Sequence, residues 1–395
     1  MTSVPDGARS LRCLIVVPPL AGHVHPTLAL AAELRARGHQ VAWVGPEPTL
    51  RPMLGPDALV HPTGIRLFRE QGGGGEAAIR SLWQGFVVPY ARFTIKALDS
   101  AVRSWRPDLV LVDQHAPAGA LVAHRHGVTW ASLAPSALEI GRPLRETPDL
   151  EASLEELLRA LWRQAGLPVA EYTDPRFSPD LLLAFTSRAL TGEQPFPAHY
   201  ALVGPLLAAR PTPPAFPWER LDPDRRPVLV TLGTLAADVA GDFHARAAEA
   251  LRPLADRVQG VVVATPEVLA ALPDHVLGVP RVPMLELLER AGLGAVLCHA
   301  GMNTLCEALA HGVPLVLAPI RHDQPIAARQ VVAAGAGRQV DFATAGPGEL
   351  REAITAVLEE PGYRVAAERV RQAFVADGGA RAAADRIERL TVARR

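Results

Sequence analysis

Apolar residues fall in short, nearly unbroken runs along this chain, separated by stretches where they recur every three or four positions. Residues 14–17, Gln40–Gly45 and 109–112 are runs of the first kind. Such runs predict strands buried on both faces, as in a parallel sheet. Between the first two, Leu28, Leu30 and Leu34 mark the apolar side of a helix, which Pro26 is suited to open and Gly38 to close. That reading leaves 18–25 as a loop carrying His23, with His25 near the helix N-cap. A second strand series begins at 228–232 and continues through 294–298 and 314–319. Strands alternating with helices predict an α/β chain of doubly wound parallel sheets. Ligands of such sheets collect beyond the carboxyl ends of the strands. His23 and Asp113 each follow such an end.

Length divides the picture in two. At 395 residues the chain exceeds one ordinary core. Pro211, Pro213, Pro214, Pro217, Pro223 and Pro227 crowd the middle, where proline suits a linker and not an element interior. We therefore expect a first domain over 1–207, a linker over 208–227, a second domain over 228–377, and a final helix over 378–395. Apolar content of 49% with 21% charged residues is globular and soluble. No apolar run reaches the roughly 18–20 residues of a membrane span, and residues 1–11 lack the build of a signal peptide. A net charge of −1 offers no footprint for nucleic acid. Cys13, Cys298 and Cys306 are an odd set without paired spacing, as expected of reduced, buried thiols in the cytoplasm.

The densest chemistry lies in 281–324. A strand runs into His299-Ala300-Gly301, and a helix opens at Met302-Asn303-Thr304. Free backbone N–H groups and the helix dipole favour an anion there. Gly301 permits close approach, and His299 and Thr304 add side-chain donors. Asn303 and Glu307, four apart, share one helix face, while Leu305 and Leu309 form the packing side. The next strand ends in Asp323-Gln324, ahead of a helix starting near Pro325. Gly233 and Thr234 follow the 228–232 strand and reach the same phosphates from a second strand end. The region suits a diphosphate joined to polyhydroxylated groups, as in a nucleotide sugar.

Here the chain resembles the family 1 glycosyltransferases of the GT-B fold, in their bacterial natural-product branch. That family's donor motif sets a Pro sixteen residues before a His, a Glu eight after it, and an Asp-Gln pair beginning twenty-four after it. Pro283, His299, Glu307 and Asp323-Gln324 keep these spacings. Gly22-His23 with Pro26, and Thr231-Leu232-Gly233-Thr234, extend the match to both halves. The resemblance implies two Rossmann-like domains facing a central cleft, and a final helix returning to the first domain. It also implies that His299, Gly301, Asn303 and Thr304 hold the diphosphate, Glu307 the ribose, and Asp323 and Gln324 the sugar. Plant members stack a Trp on the base where this chain has Arg281, and have Gln where it has Met284. An Arg guanidinium can still cover a base face, and backbone around Val282 can read its edge. UDP and dTDP donors both remain open.

Sugar transfer to a hydroxyl needs a base, and histidine's ordinary pKa near ~6.5 suits the task. His23 is the candidate, at the position where the family has its catalytic His. Asp113 would orient its ring and stabilise the imidazolium. His25 is the competitor. A single displacement inverts the anomeric carbon. Backbone amides, the helix N-terminus and His299 can stabilise the leaving diphosphate. We thus expect no metal, and no cofactor beyond the nucleotide-sugar co-substrate. Phe68, Trp83, Phe86 and Tyr90, around four glycines at 72–75, suggest aromatic walls and a mobile loop for an apolar acceptor. A monomer or homodimer is expected. The rival readings are a catalytically silent GT-B auxiliary protein, a nucleotide-sugar epimerase and a dinucleotide-dependent oxidoreductase. The first should have lost the base or the donor residues. The second has no need of His23 paired with Asp113. The third should show Gly-x-Gly-x-x-Gly where residues 18–23 read Pro-Pro-Leu-Ala-Gly-His.

Overall fold

A computed structural model describes residues 10–66, 75–141, 143–233 and 242–393. The chain forms two compact units. The first takes in the chain up to Ser187, Gln194–Thr212 and the segment from Asp377 onward; the second comprises Arg188–Glu193 and Pro213–Ala376.

The first unit is built on seven strands: β1 (Arg12–Val16), β2 (Gln40–Gly45), β3 (Leu59–Pro62), β4 (Leu109–Asp113), β5 (Trp130–Ala134), β6 (Leu182–Ala184) and β7 (Tyr200–Leu202). They lie in the order β3-β2-β1-β4-β5-β6-β7, every neighbouring pair parallel. The unbroken apolar runs are explained by cover on both faces. Cys13 and Ile15 of β1, with Val41 and Trp43 of β2, pack under Leu30 and Leu34 of helix α1 (Ala21–Ala36). Leu14, Val16, Val110 and Val112 point the other way, against Leu98 and Val102 of the Val88–Trp105 helix and Leu121 of the Ala118–Arg125 helix. Gly119 permits this closeness, since a Cβ there would meet Val112 Cγ2 at 2.9 Å.

The final helix, Gly379–Ala393, belongs to this unit. Its Ala383, Ala384 and Ile387 join the cluster around Leu30 and Leu34. Arg37 fastens it, with Nη1 donating to Asp385 Oδ1 at 2.6 Å and Glu388 Oε2 at 2.9 Å, and Nη2 to the Arg381 carbonyl at 3.1 Å. His39 Nε2 pairs with Glu388 Oε1 at 3.0 Å.

One expectation fails here. The segment 18–25 is not a loop throughout, because α1 begins at Ala21 and carries Pro26 inside it. The first turn closes through His23 and Val24 N–H groups donating to the Leu20 carbonyl at 2.9 and 3.0 Å. Pro26 lacks the N–H that would bond to Gly22. Burial of Val24, Pro26 and Thr27 offsets that loss, and Trp43 Nε1 ties the turn down by donating to Thr27 Oγ1 at 3.0 Å. The N-cap is Leu20, so His25 has no capping role.

The second unit repeats the plan with β8 (Arg226–Thr231), β9 (Val258–Val263), β10 (Val276–Val279), β11 (Ala295–Cys298), β12 (Leu315–Leu317) and β13 (Gly337–Gln339). Their order is β10-β9-β8-β11-β12-β13, again all parallel. In each sheet the strand order turns back between two central neighbours, β1 beside β4 and β8 beside β11. Crossovers leave in opposite directions at such a point, which opens a crevice beyond the strand ends.

Candidate functional site

Each unit gathers polar groups at its own crevice. In the first, Val16 of β1 is in register with Val112 of β4, so the chain leaving β1 and the carboxylate ending β4 are neighbours. His23, in the first turn of α1, sets Nδ1 2.8 Å from Asp113 Oδ2. Asp113 is buried, with its side chain 1% exposed, and its Oδ1 accepts the His115 backbone N–H at 2.8 Å. With both oxygens accepting, the carboxylate holds the His23 proton on Nδ1 and places the lone pair on Nε2. The His115 ring lies 5.0 Å from that of His23 and meets Trp83 edge-on at 5.7 Å. Behind it, Glu139 Oε1 lies 3.9 Å from His115 Nε2, and Glu139 Oε2 accepts from buried Arg176 at 3.1 Å. Arg176 also pairs with Asp174 at 2.9 Å and Glu151 at 3.2 Å, so the buried guanidinium is neutralised. Tyr90 donates to the Val17 carbonyl at 3.4 Å and stacks on Phe86, ring centroids 5.8 Å apart. Burial, with the Asp113 charge, raises the Tyr90 pKa and keeps its hydroxyl protonated. Burial and the nearby Arg210 lower His25 to about 4.

In the second unit, Cys298 of β11 is in register with Thr231 of β8. His299 and Gly233 therefore emerge side by side. The imidazole is wedged between two glycines. A Cβ on Gly233 would lie 2.6 Å from His299 Cε1, and one on Gly301 would lie 2.4 Å from Nε2. Gly233 is left-handed at φ +73. Ala300 also takes φ +63, a conformation that disfavours a residue with a Cβ by about 1–2 kcal/mol. The bend turns the chain directly into the Met302–Ala310 helix, whose N-cap Gly301 supplies no side-chain hydrogen bond. Its first N–H groups and the positive end of its dipole thus meet at one end of the crevice. Burial lowers the His299 pKa to about 4, against the opposing pull of the Asp323 charge, so the ring is neutral near pH 7. Among the described residues its buried Nδ1 has no hydrogen-bond partner. Glu307 is buried at 5% exposure, which rules out a simply solvated helix carboxylate.

Residues 228–390 match the family model described as "Erythromycin biosynthesis protein CIII-like, C-terminal domain". The NDP-glycosyltransferase YjiC of Bacillus licheniformis is 28% identical over 389 residues, covering 94% of this chain and 95% of its own length. The 4'-demethylrebeccamycin synthase of Lentzea aerocolonigenes is 29% identical, covering 96% and 99%. Among solved structures, the glycotransferase of kitacinnamycin superposes with a TM-score of 0.79 at 26% identity, covering 97% of this chain and 100% of its own. The fold is GT-B, and the chain is similar over nearly its whole length to family 1 natural-product glycosyltransferases.

In this GT-B chain the remaining residues singled out from the sequence fall as follows. Asn303 and Thr304 occupy the first turn of the Met302–Ala310 helix, both partly exposed. Arg281 is exposed and Val282 partly exposed, between β10 and the Met284–Arg290 helix. Asp323 is the N-cap of the Gln324–Ala333 helix but makes no capping side-chain bond. Gln324 closes that loop instead, its Oε1 accepting from Ile320 and Arg321 N–H at 2.8 and 3.0 Å. That leaves its Nε2 to donate elsewhere. Trp83, Phe86 and Tyr90 are buried along a π-helical turn, Leu82–Val87, and the helix that follows it. Phe68, Thr234 and the glycines at 72–74 lie outside the described residues.

Sequence reasoning passed over His115, Glu139 and Arg176. The first had a readable signal, since it stands two residues past the Asp that ends a buried strand. The other two join only through folding, across 37 positions of chain.

Proposed function

We propose that the chain is a glycosyltransferase that moves a sugar from a UDP- or dTDP-sugar to a hydroxyl of an apolar natural product, with inversion, and with His23 as the general base. The observation that carries the reading is the 2.8 Å contact between His23 Nδ1 and Asp113 Oδ2 at the turning point of the first sheet. Held this way, His23 Nε2 takes the acceptor proton as its oxygen attacks the anomeric carbon. The bond from that carbon to the diphosphate breaks in the same step. Buried Asp113 stabilises the imidazolium that results. His25 makes no comparable pairing with a carboxylate among the described residues. Trp83, Phe86 and Tyr90 supply apolar walls beside the dyad, with Phe68 proposed to complete them.

The second unit supplies the donor site in this reading. His299, Gly301, Asn303 and Thr304, with Gly233 and Thr234, receive the diphosphate. A neutral imidazole donates one hydrogen bond to phosphate without being held there as a cation. Glu307 accepts from the ribose, Asp323 and Gln324 contact the sugar, and Arg281 and Val282 face the base. Protein donors at a helix N-terminus stabilise the departing charge, so the reaction needs no divalent ion.

His23→Ala is the test. Turnover should fall by roughly 10²–10⁴ while nucleotide affinity, measured by calorimetry, is unchanged. Wild-type product should show an inverted anomeric centre by NMR, and activity should survive EDTA. Near-normal turnover of His23→Ala, or retained configuration, would overturn the reading.

A further inference from the structure

Three metal-ligating groups converge in the first unit. His23, Asp113 and His115 each bring one donor atom within 4.8 Å of the other two. All are withdrawn from water, their side chains 14, 1 and 6% exposed. Two imidazoles and one carboxylate form a mixed nitrogen and oxygen set. That set suits Zn²⁺, Co²⁺, Ni²⁺ or Cu²⁺, whereas Mg²⁺ and Ca²⁺ prefer oxygen alone. A second carboxylate stands behind the cluster, with Glu139 Oε1 3.9 Å from His115 Nε2. A carboxylate in that place orients a metal-bound imidazole and raises its basicity.

We propose that His23, Asp113 and His115 form a binding site for a zinc-type divalent ion, and that the ion silences the enzyme. The 2.8 Å separation of His23 Nδ1 from Asp113 Oδ2 opens to the roughly 3.3 Å between ligand atoms of a tetrahedral zinc. His23 Nδ1 then coordinates the ion in place of donating to Asp113. A neutral imidazole keeps one proton, so that proton moves to Nε2. The nitrogen that served as the base becomes a donor, and no net proton leaves the ring. Inhibition therefore acts through the tautomer of His23. This last step rests on His23 being the base; the binding site itself does not.

Cobalt(II) titration of the full chain tests the site, because four-coordinate cobalt absorbs visibly and zinc displaces it. One equivalent should produce the absorption bands in wild type. His115→Gln, which keeps a polar side chain, should lower apparent cobalt affinity by more than tenfold, and Asp113→Asn should do the same. Unchanged nucleotide binding in each variant, measured by calorimetry on the second unit, together with an unchanged circular dichroism spectrum, shows that the fold persists. Absence of the bands, or bands that survive both substitutions, would overturn the site. Zn²⁺ should abolish turnover reversibly on EDTA addition. Cobalt and zinc binding at the cluster with undiminished turnover would support the site and overturn His23 as the base.

Discussion

Gly301→Ala isolates one contact with little else changed. Gly301 has φ −66 and ψ 133, values open to any residue, so alanine adds no backbone strain. Its Cβ would stand 2.4 Å from His299 Nε2 and 2.8 Å from Cε1, where ordinary contact begins at 3.4 Å. The imidazole must retreat by about 1 Å, and a hydrogen bond from Nε2 lengthened that much is lost. A bond to a charged partner contributes roughly 1.5–3 kcal/mol, so nucleotide diphosphate should bind roughly 10–150-fold more weakly. Calorimetry with UDP and dTDP measures this directly. His299→Ala should produce a similar loss, and the double variant should be no worse than His299→Ala alone, because both changes remove the same bond. Undiminished affinity in Gly301→Ala would refute the wedge argument. Strict additivity of the two losses would mean that the methyl group acts on the phosphate and not on the ring.

Further outcomes follow from the same geometry. Asp113→Asn should lower kcat by roughly 10²–10⁴ with nucleotide affinity unchanged, since the amide no longer fixes the His23 proton on Nδ1; parallel loss of affinity would point to misfolding. Glu307→Ala should weaken UDP more than dTDP in calorimetry, because only UDP offers a ribose 2'-hydroxyl; equal losses would remove Glu307 from the ribose. The His299 pKa lies near 4 in the folded chain against 6.5 when exposed. The unfolded chain thus binds the extra proton between those values. Stability is fully present above pH 6.5 and falls as pH drops towards 4, by at most roughly 3 kcal/mol for this partly exposed ring. Denaturant titrations from pH 7 to 4 should show a shallower decline in His299→Gln than in wild type; identical slopes would refute the assignment.

The parallel sheets were legible because burial on both faces leaves a continuous apolar run, which survives without any partner being known. The turn at His299-Ala300-Gly301 was legible too, since a strand, a glycine and a helix start lie within a few residues. Pro26 misled. Its preference for the first helical turn is a local propensity, and packing of Val24, Pro26 and Thr27 under Trp43 outweighed it. The burial of Glu307 was hidden for a similar reason. A carboxylate on a short helix reads as solvated until the surrounding chain covers it. Arg176 is the extreme case, because its partners Glu139 and Glu151 come from separate stretches of sequence and converge only in the folded unit.

Arg37 and the final helix bear on how the chain is made. Synthesis runs from the N-terminal side, yet Ala383, Ala384 and Ile387 complete the cluster begun by Leu30 and Leu34. Between Thr212 and Asp377 the ribosome must add the bulk of the second unit. At roughly 5–20 residues per second that interval is on the order of ten to thirty seconds. Throughout it, the nascent first unit carries an uncovered apolar stripe along α1, and Arg37 waits for Asp385 and Glu388. The second unit, continuous but for a six-residue insert, can close before the first. Loss of the chain from Ala383 onward would therefore damage the unit that was translated first.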